Sequence, residues 1–148
     1  MLRKLLDLIS YLSGEGSWKM LFYEVTITKF VLNYFDDNVS KFIEKQLATD
    51  FFMDRMSDGR INVFRFYNFD DHLRISFKEF NDLMLKVDLM VDGKREVAHV
   101  TFYKGYIFSI ELKHPRKFYE NKKIEIKDIE TGLPEESYTN EIDQAEHG

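Results

Sequence analysis

Between Leu85 and Leu112 apolar and polar residues alternate in three runs. Val87, Leu89 and Val91 share one parity, then Ala98, Val100 and Phe102, then Tyr106, Phe108, Ile110 and Leu112. A period of two places each set on one face of a strand. The runs are separated by Asp92-Gly93 and Lys104-Gly105, two-residue signals of the kind tight hairpins need. The pattern predicts a three-stranded antiparallel meander with one apolar face and one mixed face.

Upstream the period is helical. Leu2, Leu5, Leu6, Leu8, Ile9 and Leu12 predict an amphipathic helix of about three turns, stopped by Ser13-Gly14-Glu15-Gly16. The stretch from Trp18 to Phe35 carries two signals. Leu21, Tyr23, Val25 and Ile27 alternate as in a strand, whereas Ile27, Phe30, Val31, Tyr34 and Phe35 recur at helical spacing, and the reading adopted is a strand running into a helix or turn. Asp36-Asp37-Asn38 offers caps for a helix whose stripe of Val39, Phe42, Ile43, Leu47, Phe51 and Phe52 carries it to about Met56. Ser57-Asp58-Gly59 closes it. Beyond, Ile61 to Tyr67 alternates, Asn68 to Asp71 reads as a turn, and Leu73, Ile75 and Phe77 complete an expected hairpin. Ser76 with Glu79 would cap a short helix through Leu83. Pro115 ends the last meander strand, and Ile124, Ile126 and Ile129 add a short edge strand.

Helices first and hairpins later define an α+β class: an antiparallel meander sheet of about five or six strands with the N-terminal helices packed on one face. The other face is then open to solvent, which alternation permits. Residues 1–132 are expected to form a single domain. Residues 133–148 read as an acidic, apolar-poor tail expected to be disordered.

Composition narrows the chemistry. With Phe 14 and Tyr 8 in 148 residues, the aromatic load argues for a packed globule. The chain contains no cysteine, which removes disulfide frameworks, thiolate catalysis and Cys-based zinc sites and is compatible with a reducing, cytoplasmic setting. Met1 to Leu12 lacks a small-residue cleavage site, and no apolar run is long enough for a bilayer, so a soluble protein without membrane contact is expected.

The net charge of -5 is unevenly placed. From Asp128 onward seven residues are acidic and none is Lys or Arg, so the remainder carries 21 basic against 19 acidic residues. Lys113, Arg116, Lys117, Lys122, Lys123 and Lys127 precede that tail, facing only Glu120 and Glu125. This basic segment, 113–127, reads either as a solvated edge or as an anion-binding surface that the tail can shield. A nucleic-acid-binding module using it is one alternative function.

No strong cofactor, metal or nucleophile motif is present. His72, His99, His114 and His147 include no pair at the zinc-helix spacing. His99 sits mid-strand on the polar parity with Thr101 and Tyr103, as a partly exposed structural residue or a base. His72 follows Asp70-Asp71, which are ordinary turn formers. Glu111-Leu112-Lys113 with Asp88 or Asp92 upstream resembles the minimal metal-dependent nuclease pattern, in which two carboxylates hold Mg²⁺ and the Lys orients the attacking water. The likeness covers this hairpin alone. Lys104-Gly105-Tyr106-Ile107-Phe108 is a faint echo of an RNA-binding strand signature.

Tyrosines and the single tryptophan are the residues most enriched at binding hot spots. The sequence therefore nominates Trp18, His99, Tyr103, Tyr106, Lys113, Arg116, Lys117 and Tyr119 as a binding set, with no metal and no cofactor. The leading expectation is a non-enzymatic module that binds another protein, with nucleic acid a lesser partner and a homodimer through a sheet edge or face as a further form. Toxin-neutralising immunity proteins are similar in general character, being small, acidic and α+β, although no motif here marks that family.

Overall fold

The computed structural model describes residues 2–14 and 16–131. Along the chain run α1 (Leu2–Leu12), β1 (Gly16–Ser17), α2 (Phe22–Tyr34), α3 (Asp37–Leu47), β2 (Phe51–Arg55) and β3 (Ile61–Phe66). Two 3₁₀ turns follow, Asp71–Leu73 and Lys78–Asn81, then β4 (Asp82–Val91), β5 (Lys94–Tyr103), β6 (Tyr106–Glu111), α4 (Arg116–Tyr119) and β7 (Ile124–Thr131). The expected tail, 133–148, lies outside the described residues.

The meander forms where the alternation places it. Its two turns have both central residues at positive φ, Asp92 at 47° with Gly93 at 82° and Lys104 at 50° with Gly105 at 80°. That is the backbone a two-residue turn needs to match the twist of its strands, and glycine supplies half of it without strain. Around the meander the chain builds a seven-stranded antiparallel sheet in the order β1-β2-β3-β6-β5-β4-β7, with β7 at an edge as its isoleucines suggested. The α+β class holds, and the strand count exceeds the five or six expected because β1 and β2 were not anticipated as strands.

Three local readings are corrected. The segment from Phe22 is helical throughout, because Tyr23, Ile27 and Val31, spaced by four, are fully buried on its inner side, and Glu24 reaches back to the Leu21 amide at 2.7 Å. The helix expected to reach Met56 stops at Leu47, and Phe51, Phe52 and Met53 form β2. All three are buried because the strand is covered on both faces, and this erases the alternation by which a strand is recognised. The hairpin expected between Ile61–Tyr67 and Leu73–Phe77 does not form. β3 pairs instead with β2 (Met53↔Phe64) and with β6 (Ile61↔Glu111), and the Lys78–Asn81 turn has Phe77, without a side-chain cap, where Ser76 was expected to act.

α2 and α3 cover one face. Tyr23, Ile27, Val31, Val39 and Ile43 pack with Leu85, Val87, Leu89, Ala98, Val100, Phe102 and Ile110 in a single apolar cluster. Gln46, fully buried, ties three segments together. Its Nε2 donates to the carbonyls of Leu73 (2.7 Å) and Gly105 (2.9 Å), and its Oε1 accepts from the Ile107 amide at 3.0 Å. The opposite face carries Lys86, Asp88, His99, Tyr103, Glu111 and Arg65. A bulge where β5 pairs with β6 sets Phe108 on this open face, beside Tyr103, instead of in the core with Phe102.

Candidate functional site

The expectation that all N-terminal helices share one face fails at α1, which lies on the open side. Its one buried residue is the acidic Asp7, and its leucines and Ile9 face out. Asp7 is 1% exposed; its Oδ1 accepts from Arg65 Nη1 at 2.8 Å and its Oδ2 from the Tyr67 hydroxyl at 2.6 Å. Arg65 also pairs with Asp54, and Trp18 Nε1 donates to the Tyr67 hydroxyl at 2.9 Å while its ring meets Tyr11 and Phe52. Leu2, Leu5, Leu6, Leu8, Ile9 and Leu12 are left 42–74% exposed. Scattered exposed leucines are ordinary, but a contiguous stripe of six on one helix is the kind of apolar patch that marks an interface.

Because Asp7 anchors the helix, Asp7→Ala should release α1. Two charge-assisted hydrogen bonds are lost, so a destabilisation on the order of 2 kcal/mol is expected. Hydrogen exchange should quicken across Leu2–Leu12 while β4, β5 and β6 keep their protection, and unchanged exchange in α1 would show that its apolar contacts hold it instead.

Beside α1 the open face sinks into a cavity of about 510 Å³ between β3, the β5–β6 turn and the segment Phe69–Arg74. Four cations line it, Arg3, Arg65, Arg74 and Lys104, together with Phe69, Tyr103, Tyr106 and Phe108. Arg65 is neutralised by Asp7 and Asp54, and Arg74 meets Asp71 at 3.5 Å. Arg3 and Lys104 have no ion pair among the described residues and lie over the rings of Tyr67 and Tyr103. Tyr106 forms the buried wall. Its hydroxyl donates to the Asp70 carbonyl (2.6 Å) and accepts from the Asp70 amide (2.8 Å), and burial raises its pKa. The arrangement offers aromatic faces and positive charge to an anionic or carboxylate-bearing partner.

The nominated residues separate into three places. Trp18, Tyr103 and Tyr106 lie along α1 and the groove. His99 is mid-sheet on the same face, in register with Lys86 and Glu111. Lys113, Arg116 and Lys117 lie beyond the far end of β6. Tyr119 is corrected from a surface residue to a core residue: it is fully buried, stacks on Tyr23 at 5.1 Å and donates to Glu96 Oε1 at 2.9 Å, with burial raising its pKa. Arg3, Arg65, Phe69, Arg74, Lys104 and Phe108 were missed as a group, since they come from five separate segments. The one available signal was Arg65 sharing a strand parity with Tyr67.

The nuclease-like set is not assembled. Asp88 lies on β4 and Glu111 on β6, two strands across the sheet and two residues along it, since Glu111 is level with His99 and Lys86, which puts them about 12 Å apart. Asp88 pairs with Arg95 at 3.2 Å, and Asp92 holds the Lys123 amide at 2.7 Å in the hairpin turn. Among the described residues no group of three or more His, Cys, Asp or Glu is arranged to hold a metal ion. The basic segment is divided too. Lys123 and Lys127 both pair with Glu125 (3.0 and 3.2 Å), which lowers the pKa of that carboxyl, and Lys122 lies over Phe118.

On the core side, at the far end of β6, polar groups are buried. Glu24 and Arg55 pair at 2.6 Å with almost no exposure, Asn62 meets the Tyr23 hydroxyl at 3.4 Å, and Glu96 receives Tyr119 and lies 3.5 Å from His114. Burial pushes Tyr23 up to about 12. No helix among the described residues is long and apolar enough to cross a membrane. Compared with protein-family models, with curated proteins and with solved structures, the chain matches none.

Proposed function

We propose that this chain is a non-enzymatic protein-binding module. It docks a partner on α1 and the adjoining groove, the partner presenting apolar side chains flanked by carboxylates. The observation that carries this reading is the stripe of Leu2, Leu5, Leu6, Leu8, Ile9 and Leu12, held outward by the Asp7 anchor on the opposite side of the helix. Burying it fully would contribute about 25 cal/mol per Å² of apolar surface removed from water, so an unpartnered stripe is costly. The groove supplies direction. Arg3 and Lys104 can pair with carboxylates at the rim, while Tyr103 and Phe108, both about half exposed, supply rigid contact area. In its most specific form the proposal is an immunity-type inhibitor that covers and neutralises a toxin or enzyme.

The test is capture from the source cell with the full chain and with Leu5→Glu/Leu12→Glu, both positions being exposed and outside the core. A partner retained by the parent chain and lost by the variant, with identical thermal melts, supports the reading. The same proteins retained by both would overturn it. Sedimentation of the purified chain identifies the case in which the partner is a second copy.

A further inference from the structure

Beyond Thr131 the chain continues for seventeen residues, 132–148. β7 enters the sheet opposite Val91, just after Lys122 and Lys123, and ends at Thr131 opposite Leu85. Because β7 is antiparallel to β4, it leaves toward the end of the sheet where β4 begins. There Asp82 opposes Tyr103, and the Lys104-Gly105 turn borders the groove. The groove lies ahead of the departing chain, and Lys122 and Lys123 lie behind it.

The distances are within reach. Tyr103 is two strands across from Thr131 and three residues along, about 14 Å, and β3, the far wall of the groove, is four strands across, about 19 Å. An extended chain advances about 3.3 Å per residue. Tyr138, seven residues past Thr131, therefore reaches the near wall with length to spare, and Glu141 reaches the far one.

The chemistry is complementary. Residues 132–148 include Glu135, Glu136, Glu141, Asp143 and Glu146 and no Lys or Arg, and Tyr138 lies between the first pair and Glu141. In the groove Arg65 is taken by Asp7 and Asp54 and Arg74 by Asp71, whereas Arg3 and Lys104 are exposed and have no ion pair among the described residues. Tyr103 and Phe108 stand beside each other, about half exposed. An aromatic side chain flanked by carboxylates is what this lining accepts. Asp82, opposite Tyr103, opposes an acidic segment on charge alone, so the ring contact is needed as well as the ion pairs.

We propose that the groove is the docking site of the chain's own segment 135–141, whose carboxylates pair with Arg3 and Lys104 while Tyr138 lies against Tyr103 and Phe108. Tethering gives the segment an effective concentration on the order of millimolar, so individually weak contacts suffice. The sequence reading had the tail shield the basic segment 113–127. The fold redirects it, because β7 carries the chain to the other end of the sheet and Glu125 already holds Lys123 and Lys127. An outside partner must then displace the tail, a consequence that rests on the docking reading; the occupancy itself does not.

The test is paramagnetic broadening of amide signals in the full chain. With no native cysteine, Ser137→Cys carries a nitroxide at one defined position. At about 0.1 M salt the amides of Arg3, Arg65 and Phe69, across the groove from β7, should lose most of their intensity relative to the reduced label, and raising salt to about 1 M, where the Debye length is about 3 Å, should restore it. Arg3→Gln/Lys104→Gln should restore it too, as should Glu135→Gln/Glu136→Gln/Glu141→Gln, whereas Lys122→Gln/Lys123→Gln should not. Ala145→Cys places the label beyond the contact segment and should broaden the same amides, which guards against a label at 137 that disturbs docking. Intensity kept at these amides with both labels, broadening that falls off evenly with distance from Thr131 or centres on 113–127, or broadening that persists in the groove and tail charge variants would overturn the assignment. So would broadening passed to an unlabelled copy in a mixed sample, since that places the tail in another molecule. The measurement uses no outside partner, so it succeeds or fails separately from capture through the α1 stripe.

Discussion

Arg55→Ala is expected to destabilise the fold by about 3–5 kcal/mol, read from urea melts near neutral pH, because removing one partner of a buried pair leaves the other charge uncompensated. Glu24 is fully buried, and burial already raises its pKa against the opposing pull of Arg55. Without Arg55 that rise grows. A folded-state pKa above the unfolded one means that the folded chain holds the proton more tightly, so the penalty should be smallest at acid pH, where Glu24 is neutral in both states. It should increase as pH rises through and beyond the ordinary carboxylate range. Glu24→Gln/Arg55→Met, which removes both charges at similar volume, should recover much of the loss. A cost below about 1 kcal/mol for Arg55→Ala would mean that water reaches the pair and that it behaves as a surface contact.

Phe102→Ala should cost about 3–5 kcal/mol, whereas Phe108→Ala should cost under about 1 kcal/mol. The two rings belong to adjacent strands and both were expected in the core, yet their environments differ. Phe102 is 1% exposed and packs edge-on against Phe80 at 5.2 Å and Phe35 at 5.8 Å, so truncation opens a cavity that its neighbours cannot fill. Phe108 is 43% exposed beside Tyr103. Its loss should be felt in partner binding instead. Comparable stability losses for the two variants would place Phe108 beneath the sheet and remove it from the groove.

The pair also shows how a single bulge defeats parity. Phe108 shares its alternation with Ile110 and Leu112 in sequence, but the register shift between Thr101 and Phe102 opposes Phe102 to Ile107 and leaves Phe108 on the other face. A pattern of period two carries no mark of one extra residue, because the bulge is fixed by how the neighbouring strand pairs.

What the sequence by itself determined is what local backbone preference and one-sided burial dictate. The Asp92-Gly93 and Lys104-Gly105 turns, the strands they join, the edge position of the Ile124–Ile129 run and the helix Leu2–Leu12 all follow from spacing and turn chemistry. What only the tertiary structure decided are pairings between distant segments. β2 escaped notice because cover on both faces removes alternation, and the partners of β3 lie in segments that no local rule connects. The candidate site belongs to this second kind. An amphipathic helix would ordinarily bury its leucines, and α1 is turned outward because Asp7 finds Arg65 and Tyr67, 58 and 60 residues further along the chain. Two charge-assisted hydrogen bonds to the buried Asp7 carboxylate fix that orientation, and their geometry exists only once the sheet has formed.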